Sequence, residues 1–198
     1  VLALVVTAPP GDSTQPTRPP VFAAEPVTSS IMVDGHLREA DWASAPVATG
    51  FRQFAPQEGA QPSQQTEVRV LYGEDALYVG ARLHDERPGR IRARLTRRDQ
   101  RNQADWFEVS IDSYYDQKTA HTFAVNAAGV QRDGVVQGGG NFDSSWDGIW
   151  RSEVRITDTG WVAELRIPYS MLRFSEAEQQ TWGIQFRRRI PRNSEVLE

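Results

Sequence analysis

Glycoside hydrolysis requires two carboxyl groups facing each other across a cleft, about 5–9 Å apart, one of them with a raised pKa. The nearest set in this chain is Asp105, Glu108 and Asp112, but strand alternation turns Asp105 away from the other two. His36, His84 and His121 lack metal-ligand spacing, no serine sits in a nucleophile elbow, and there is no cysteine. These residues predict binding rather than catalysis. Binding of a polar ring-shaped ligand uses aromatic faces for its apolar side and planar polar groups for its hydroxyls. Glu108, Arg82, Asn126 and Gln185 are expected on one polar sheet face, with Trp106 turned outward beside Glu108. Trp146 and Trp150, with Phe142, follow Gly138, Gly139 and Gly140, and either form a binding rim or pack their own rings. Asp143 and Asp147 in this loop are either oxygen ligands for a structural Ca²⁺ or solvated loop acids.

Arginine is concentrated twice. Arg87, Arg90, Arg92, Arg94, Arg97, Arg98 and Arg101 form one run, and Arg187, Arg188, Arg189 and Arg192 form a second near the end. Guanidinium forks fit carboxylate and phosphate, so the run suits acidic glycans or lipid phosphates. The alternative is a solvated strand and loop, because Lys118 is the single lysine among 22 basic residues and arginine is the default cation here.

The elements that must position these groups are strands. Val68, Val70 and Tyr72 share one face of Glu67–Tyr72, and the turn Gly73-Glu74-Asp75 leads into Leu77, Val79, Ala81 and Leu83. Phe107, Val109 and Ile111 alternate with Trp106, Glu108, Ser110 and Asp112; Phe123 and Val125 alternate with Thr122, Ala124 and Asn126. Trp150–Ile156 and Trp161–Ile167 are joined at Asp158-Thr159-Gly160, and Trp182–Ile190 is the last strand. Helix is expected only near 38–45 and as a turn at 170–174. Short strands at about ten-residue spacing predict an all-β antiparallel sandwich.

Of the 198 residues, 39% are hydrophobic and six are Trp, enough for one substantial core. A formal charge of −4 argues against nucleic acid as partner. Residues 1–27 read as a signal-peptide remnant, Val1–Ala8, followed by a Pro-rich linker, with a frayed first strand as the alternative. Residues 28–198 are the domain, expected to continue beyond Glu198. No stretch approaches the roughly 20 apolar residues of a membrane span. From the Val1–Ala8 run and the proline-rich stretch after it, export to the periplasm, the outer-membrane region or the extracellular space is expected.

VDGHLREADW at 33–42, TEVRVLYGEDALYVGARLHDE, DWFEVSID, FAVN and GWVAELRIPYSML, in this order, resemble a family 9 carbohydrate-binding module, a DOMON-like sandwich, over about residues 28–190. The DGIWRSEV stretch and FRRRIPRNSE are similar to the family-9-like domain at the N-terminus of bacterial outer-membrane proteins, which implies a following β-barrel in the full-length chain. The resemblance implies a carbohydrate ligand held between two Trp residues, with a Glu and an Arg bonding its hydroxyls, and a structural Ca²⁺ in relatives. It places Glu108 at the sugar-bonding Glu, but Asn102 near the first stacking Trp and Ala124 at the Arg. A haem-binding sandwich is a further alternative, for which Met32, Met171 and the three histidines are the available axial ligands.

Overall fold

The computed structural model describes residues 2–6, 21–138, 140–177 and 179–198, with side chains from residue 24 onward. The first strands are β1 (Leu2–Val6), β2 (Val21–Ala23) and β3 (Glu25–Pro26), followed by α1 (Ala40–Ser44), the single α-helix among the described residues. Next come β4 (Gln53–Ala55), β5 (Thr66–Tyr72), β6 (Ala76–His84), β7 (Trp106–Asp112) and β8 (Ala120–Asn126). The chain continues through β9 (Gln131–Gln137), β10 (Asn141–Asp143), β11 (Arg151–Thr157) and β12 (Gly160–Pro168). It ends with β13 (Gln180–Ile190) and β14 (Glu195–Leu197).

Two sheets face each other as a sandwich. The nine-stranded sheet has the order β10-β9-β8-β7-β13-β1-β2, with β14 pairing both β13 and β4. The five-stranded sheet has the order β11-β12-β6-β5-β3. The predicted alternation holds: Phe107, Val109, Ile111, Phe123, Ile184 and Phe186 from the first sheet meet Val68, Val70, Leu77, Val79, Trp161 and Leu165 from the second. The expected turns at Gly73 and at Asp158-Thr159-Gly160 close hairpins β5–β6 and β11–β12.

Six strands lie outside the sequence reading: β4, β9, β10 and β14, and β2 and β3 within the segment read as a linker. Gly138 and Gly140 lie between the paired strands β9 and β10, where the sequence reading expected a loop. The apolar run read as a signal-peptide remnant or a first strand is described over Leu2–Val6 as a strand, parallel to β13. Residues 7–20, most of the proline-rich stretch, lie outside the described residues.

The outer face of the five-stranded sheet is covered by the segment around α1. Leu37, Trp42 and Ala45 pack on Leu71 and Val162, so Trp42 is a core plug, as its place on a short amphipathic helix implies. Asp41 fastens this segment, accepting hydrogen bonds from the backbone and hydroxyls of Thr28 and Ser29. Those bonds, the Ser29 hydroxyl first, hold its carboxyl below the ordinary range.

The turn at Asp34-Gly35 is held from 130 residues away: the buried Glu164 carboxylate accepts the N–H groups of Asp34 and Gly35, each at 2.9 Å. Gly35 has φ 76°, which favours glycine, and an added Cβ would approach the Val154 backbone to 3.3 Å. Glu164→Ala leaves those donors unpaired and is expected to cost about 2 kcal/mol in urea denaturation. Burial raises the Glu164 carboxyl pKa, so ionisation opposes folding as pH rises through that folded-state value. Glu164→Gln keeps an acceptor and removes this opposition, so it is expected within about 1 kcal/mol of the parent.

Candidate functional site

The outer face of the nine-stranded sheet is built by the alternate residues of β7, β8, β9 and β13. Register places Arg187 opposite Glu108 and Glu108 opposite Ala124, while Ala124 faces Arg132 on β9. Directly opposed residues point to the same side, so one row across four strands reads Arg187, Glu108, Ala124, Arg132. Glu108 is 8% exposed at its centre. Its carboxylate accepts from Arg101 Nη2 at 2.9 Å and Arg187 Nη1 at 3.5 Å, with Arg132 Nη1 at 3.9 Å. Arg187 also pairs with Glu198, which accepts from Gln185 Nε2 at 3.0 Å.

Aromatic rings flank this row. Phe54, 49% exposed, has the Arg187 guanidinium 5.9 Å from its ring centre. On the other side Arg132 stacks at 3.7 Å over Phe142. Phe142 can lie flat here because β9 carries Gly134: a Cβ there would come within 2.5 Å of both the ring and the Asp143 carbonyl. An open groove of about 510 Å³, lined by Arg101, Asn102, Ala104, Arg189 and Val196 among others, continues from the row toward β14. The arrangement presents guanidinium forks and one carboxylate between two rings, which suits a polar ring-shaped ligand.

The residues expected to form one polar face are divided. Gln185 lies with Glu108, but Arg82 is on β6 in the other sheet, where its guanidinium reaches the Leu37 carbonyl at 3.4 Å. Asn126 is on the correct side but fully buried: its amide donates to the Arg94 carbonyl at 2.9 Å and accepts from Ala128 and Val130. Trp106, expected as an outward platform, is buried with Ala104, Ala124 and Val130, and its indole donates to the Asn102 carbonyl at 3.3 Å. The arginine-rich segment crosses this end of the sheet and covers it. Thr122 and Ala124 are buried on the same side.

The tryptophans of the glycine-rich stretch resolve toward packing. Trp150 is buried in the main core, edge-on to Phe123, and its indole donates to Asp133 at 2.7 Å. Trp146, partly buried, packs edge-on to Phe123 and His121. Burial, with Arg173 nearby, lowers the His121 pKa. Asp143 caps the Ser145 N–H at 2.9 Å, and Asp147 pairs with Arg98 at 3.2 Å. Among the described residues no three His, Asp or Glu side chains converge as a metal site. Met171 sulfur accepts the Ile149 N–H at 3.1 Å, Met32 is exposed, and His84 lies 3.4 Å from Glu67.

Arg132, Arg187, Arg189 and Phe54 were not among the residues expected to form the binding face, whereas Phe142 was one of the candidate rim aromatics. The signal for two of them was present: Arg187 and Arg189 alternate with the inward Phe186 and Arg188. Arg132 has no such cue, yet it sits directly across from Ala124, where the family resemblance calls for an arginine.

Residues 33–189 match the family model described as carbohydrate family 9 binding domain-like. A family 9 carbohydrate-binding module from Caldicellulosiruptor kristjanssonii, solved with cellotriose, superposes with a TM-score of 0.57 at 15% identity, covering 88% of this chain and 82% of that one. The module from the same organism with glucose gives 0.59 at 16% identity, covering 85% and 78%. A candidate carbohydrate-binding protein from Bacteroides uniformis gives 0.68 at 10% identity, covering 89% and 87%. At such identities the structural likeness is one of fold. Among curated proteins none matches the sequence.

Proposed function

This chain belongs to the carbohydrate family 9 binding domain-like family, and from that premise we propose that it is a non-catalytic module binding glycan on the outer face of its nine-stranded sheet. The observation that carries this reading is Glu108 ringed by Arg101, Arg132 and Arg187, between the rings of Phe54 and Phe142. Glu108 is also the position at which the resemblance puts a sugar-bonding carboxylate. Solved relatives with cellotriose and glucose support a saccharide ligand.

Calorimetric titration against a panel of neutral and acidic oligosaccharides tests the proposal. At least one sugar is expected to bind, and Phe54→Ala, which removes a half-exposed ring with little packing role, is expected to weaken it about tenfold, roughly 1.4 kcal/mol. Absence of binding across the panel would overturn the proposal. We extend it to an exported location, supported by the likeness of the DGIWRSEV and FRRRIPRNSE stretches to the domain at the N-terminus of bacterial outer-membrane proteins. Fractionation of cells expressing the full-length gene should recover the chain outside the cytoplasm; recovery only from the cytoplasm would reject this.

A further inference from the structure

The hydrogen-bonding inventory of the outer face narrows the ligand class. Four guanidinium groups, Arg101, Arg132, Arg187 and Arg189, have only two carboxylates, Glu108 and Glu198, within ion-pair reach among the described residues, while Asp99 and Asp133 act on Arg132 from further away. Glu198 is committed to Arg187 and Gln185, and Glu108 to Arg101 and Arg187. Arg132, with a side chain only 13% exposed, makes no hydrogen bond among the described residues, its nearest carboxylate oxygen being 3.9 Å away. Arg189 likewise makes none, and its Nε is buried. Burial lowers the pKa of both, and the charge of Arg101 adds to the effect on each. Donors therefore exceed acceptors. A neutral sugar hydroxyl brings a proton that itself needs an acceptor, whereas an ionised carboxylate or sulfate only accepts and matches the guanidinium fork.

We infer that the glycan bound on this face is acidic, a chain of sugars that runs across the row between Phe54 and Phe142 and whose oxyanion is taken by Arg132 and Arg189. The inference rests on the proposed glycan-binding role of this face. A general attraction to polyanions is a poorer explanation, because the chain as a whole carries a formal charge of −4.

The test compares trigalacturonate, a sulfated trisaccharide and cellotriose by calorimetry at low and physiological ionic strength, with polyglutamate as a non-sugar polyanion. At least one acidic sugar is expected to bind about tenfold or more tightly than cellotriose, with affinity falling as salt rises. The double variant Arg132→Gln/Arg189→Gln is expected to lose about tenfold in acidic-sugar affinity and most of the salt dependence, with an unchanged melting temperature. Whether the uronate or the sulfated sugar binds identifies the oxyanion, and either supports the inference. Cellotriose binding as tightly as both acidic sugars overturns it while leaving the glycan-binding proposal intact. Polyglutamate binding as tightly as the acidic sugars also overturns it. No binding of any sugar overturns both. Should the double variant unfold, the salt dependence of the parent protein decides: its absence contradicts the inference.

Discussion

Replacing Arg188 with methionine is expected to lower the unfolding free energy by about 3–5 kcal/mol, because it strips the cation from a buried set of carboxylates. Arg188 is fully buried on β13, its Nη1 donating to the Gln65 carbonyl at 2.8 Å and Thr66 Oγ1 at 3.1 Å. Its Nη2 donates to the His84 carbonyl at 2.7 Å, so one side chain ties the nine-stranded sheet to strands β5 and β6 of the other. Burial lowers its pKa to about 10, which leaves it charged at neutral pH. Asp85, Asp105 and Glu195 supply the compensating negative charge, with Arg192 ion-paired to Asp85 at 2.7 Å.

The deficit should depend on pH. Burial raises the Asp105 carboxyl pKa, and Arg188 is the leading charge that holds it down. Without Arg188 the folded-state value climbs further above the unfolded one. A raised acid pKa favours the protonated folded state, so the variant loses stability as pH rises through that value. Urea melts should therefore show a larger deficit at pH 7 than at pH 5. A deficit below about 1 kcal/mol, the same at both pH values, contradicts this account.

Asp133→Ala is expected to cost about 3 kcal/mol and to loosen the segment after the glycine-rich turn. The Asp133 carboxylate is fully buried and accepts from the Trp150 indole at 2.7 Å, the Gly148 N–H at 3.1 Å and the Arg98 guanidinium. Removing it leaves an indole N–H and a backbone N–H buried without acceptors, and leaves Arg98 only the more exposed Asp99 and Asp147 as counter-ions. Trp150 and, through Phe123, Trp146 should then change environment. A lower denaturation midpoint together with altered near-ultraviolet circular dichroism is the expected result. An unchanged tryptophan signal would show that the segment holds its place without Asp133.

The sandwich was readable because Phe107, Val109 and Ile111, or Trp161, Ala163, Leu165 and Ile167, repeat at period two with nothing to interrupt them. Alternation tells which side of a sheet a residue faces. It does not tell what lies above that side. Trp106, Thr122 and Asn126 face outward as expected and are nevertheless buried, because the segment before β7 folds back over them and Arg94 offers its carbonyl to Asn126. Arg82 and Glu108 were grouped for a related reason: each is outward in its own strand, but their strands belong to opposite sheets. That assignment depends on long-range pairing, which local pattern does not carry. Asp133 was equally hidden. An acid in a strand without clear alternation gives no sign that it is the acceptor for an indole 17 residues away.

The location of the ligand is the most direct test of the account. In an ¹⁵N–¹H correlation spectrum, titration with a binding oligosaccharide is predicted to shift the amide signals of Glu108, Arg132, Arg187 and Phe54. Signals of Gly35, His36, Arg82 and His84, which line a separate pocket on the five-stranded sheet, should stay in place. Shifts confined to that second group, with the outer face of the nine-stranded sheet unmoved, would contradict the assignment of the binding face.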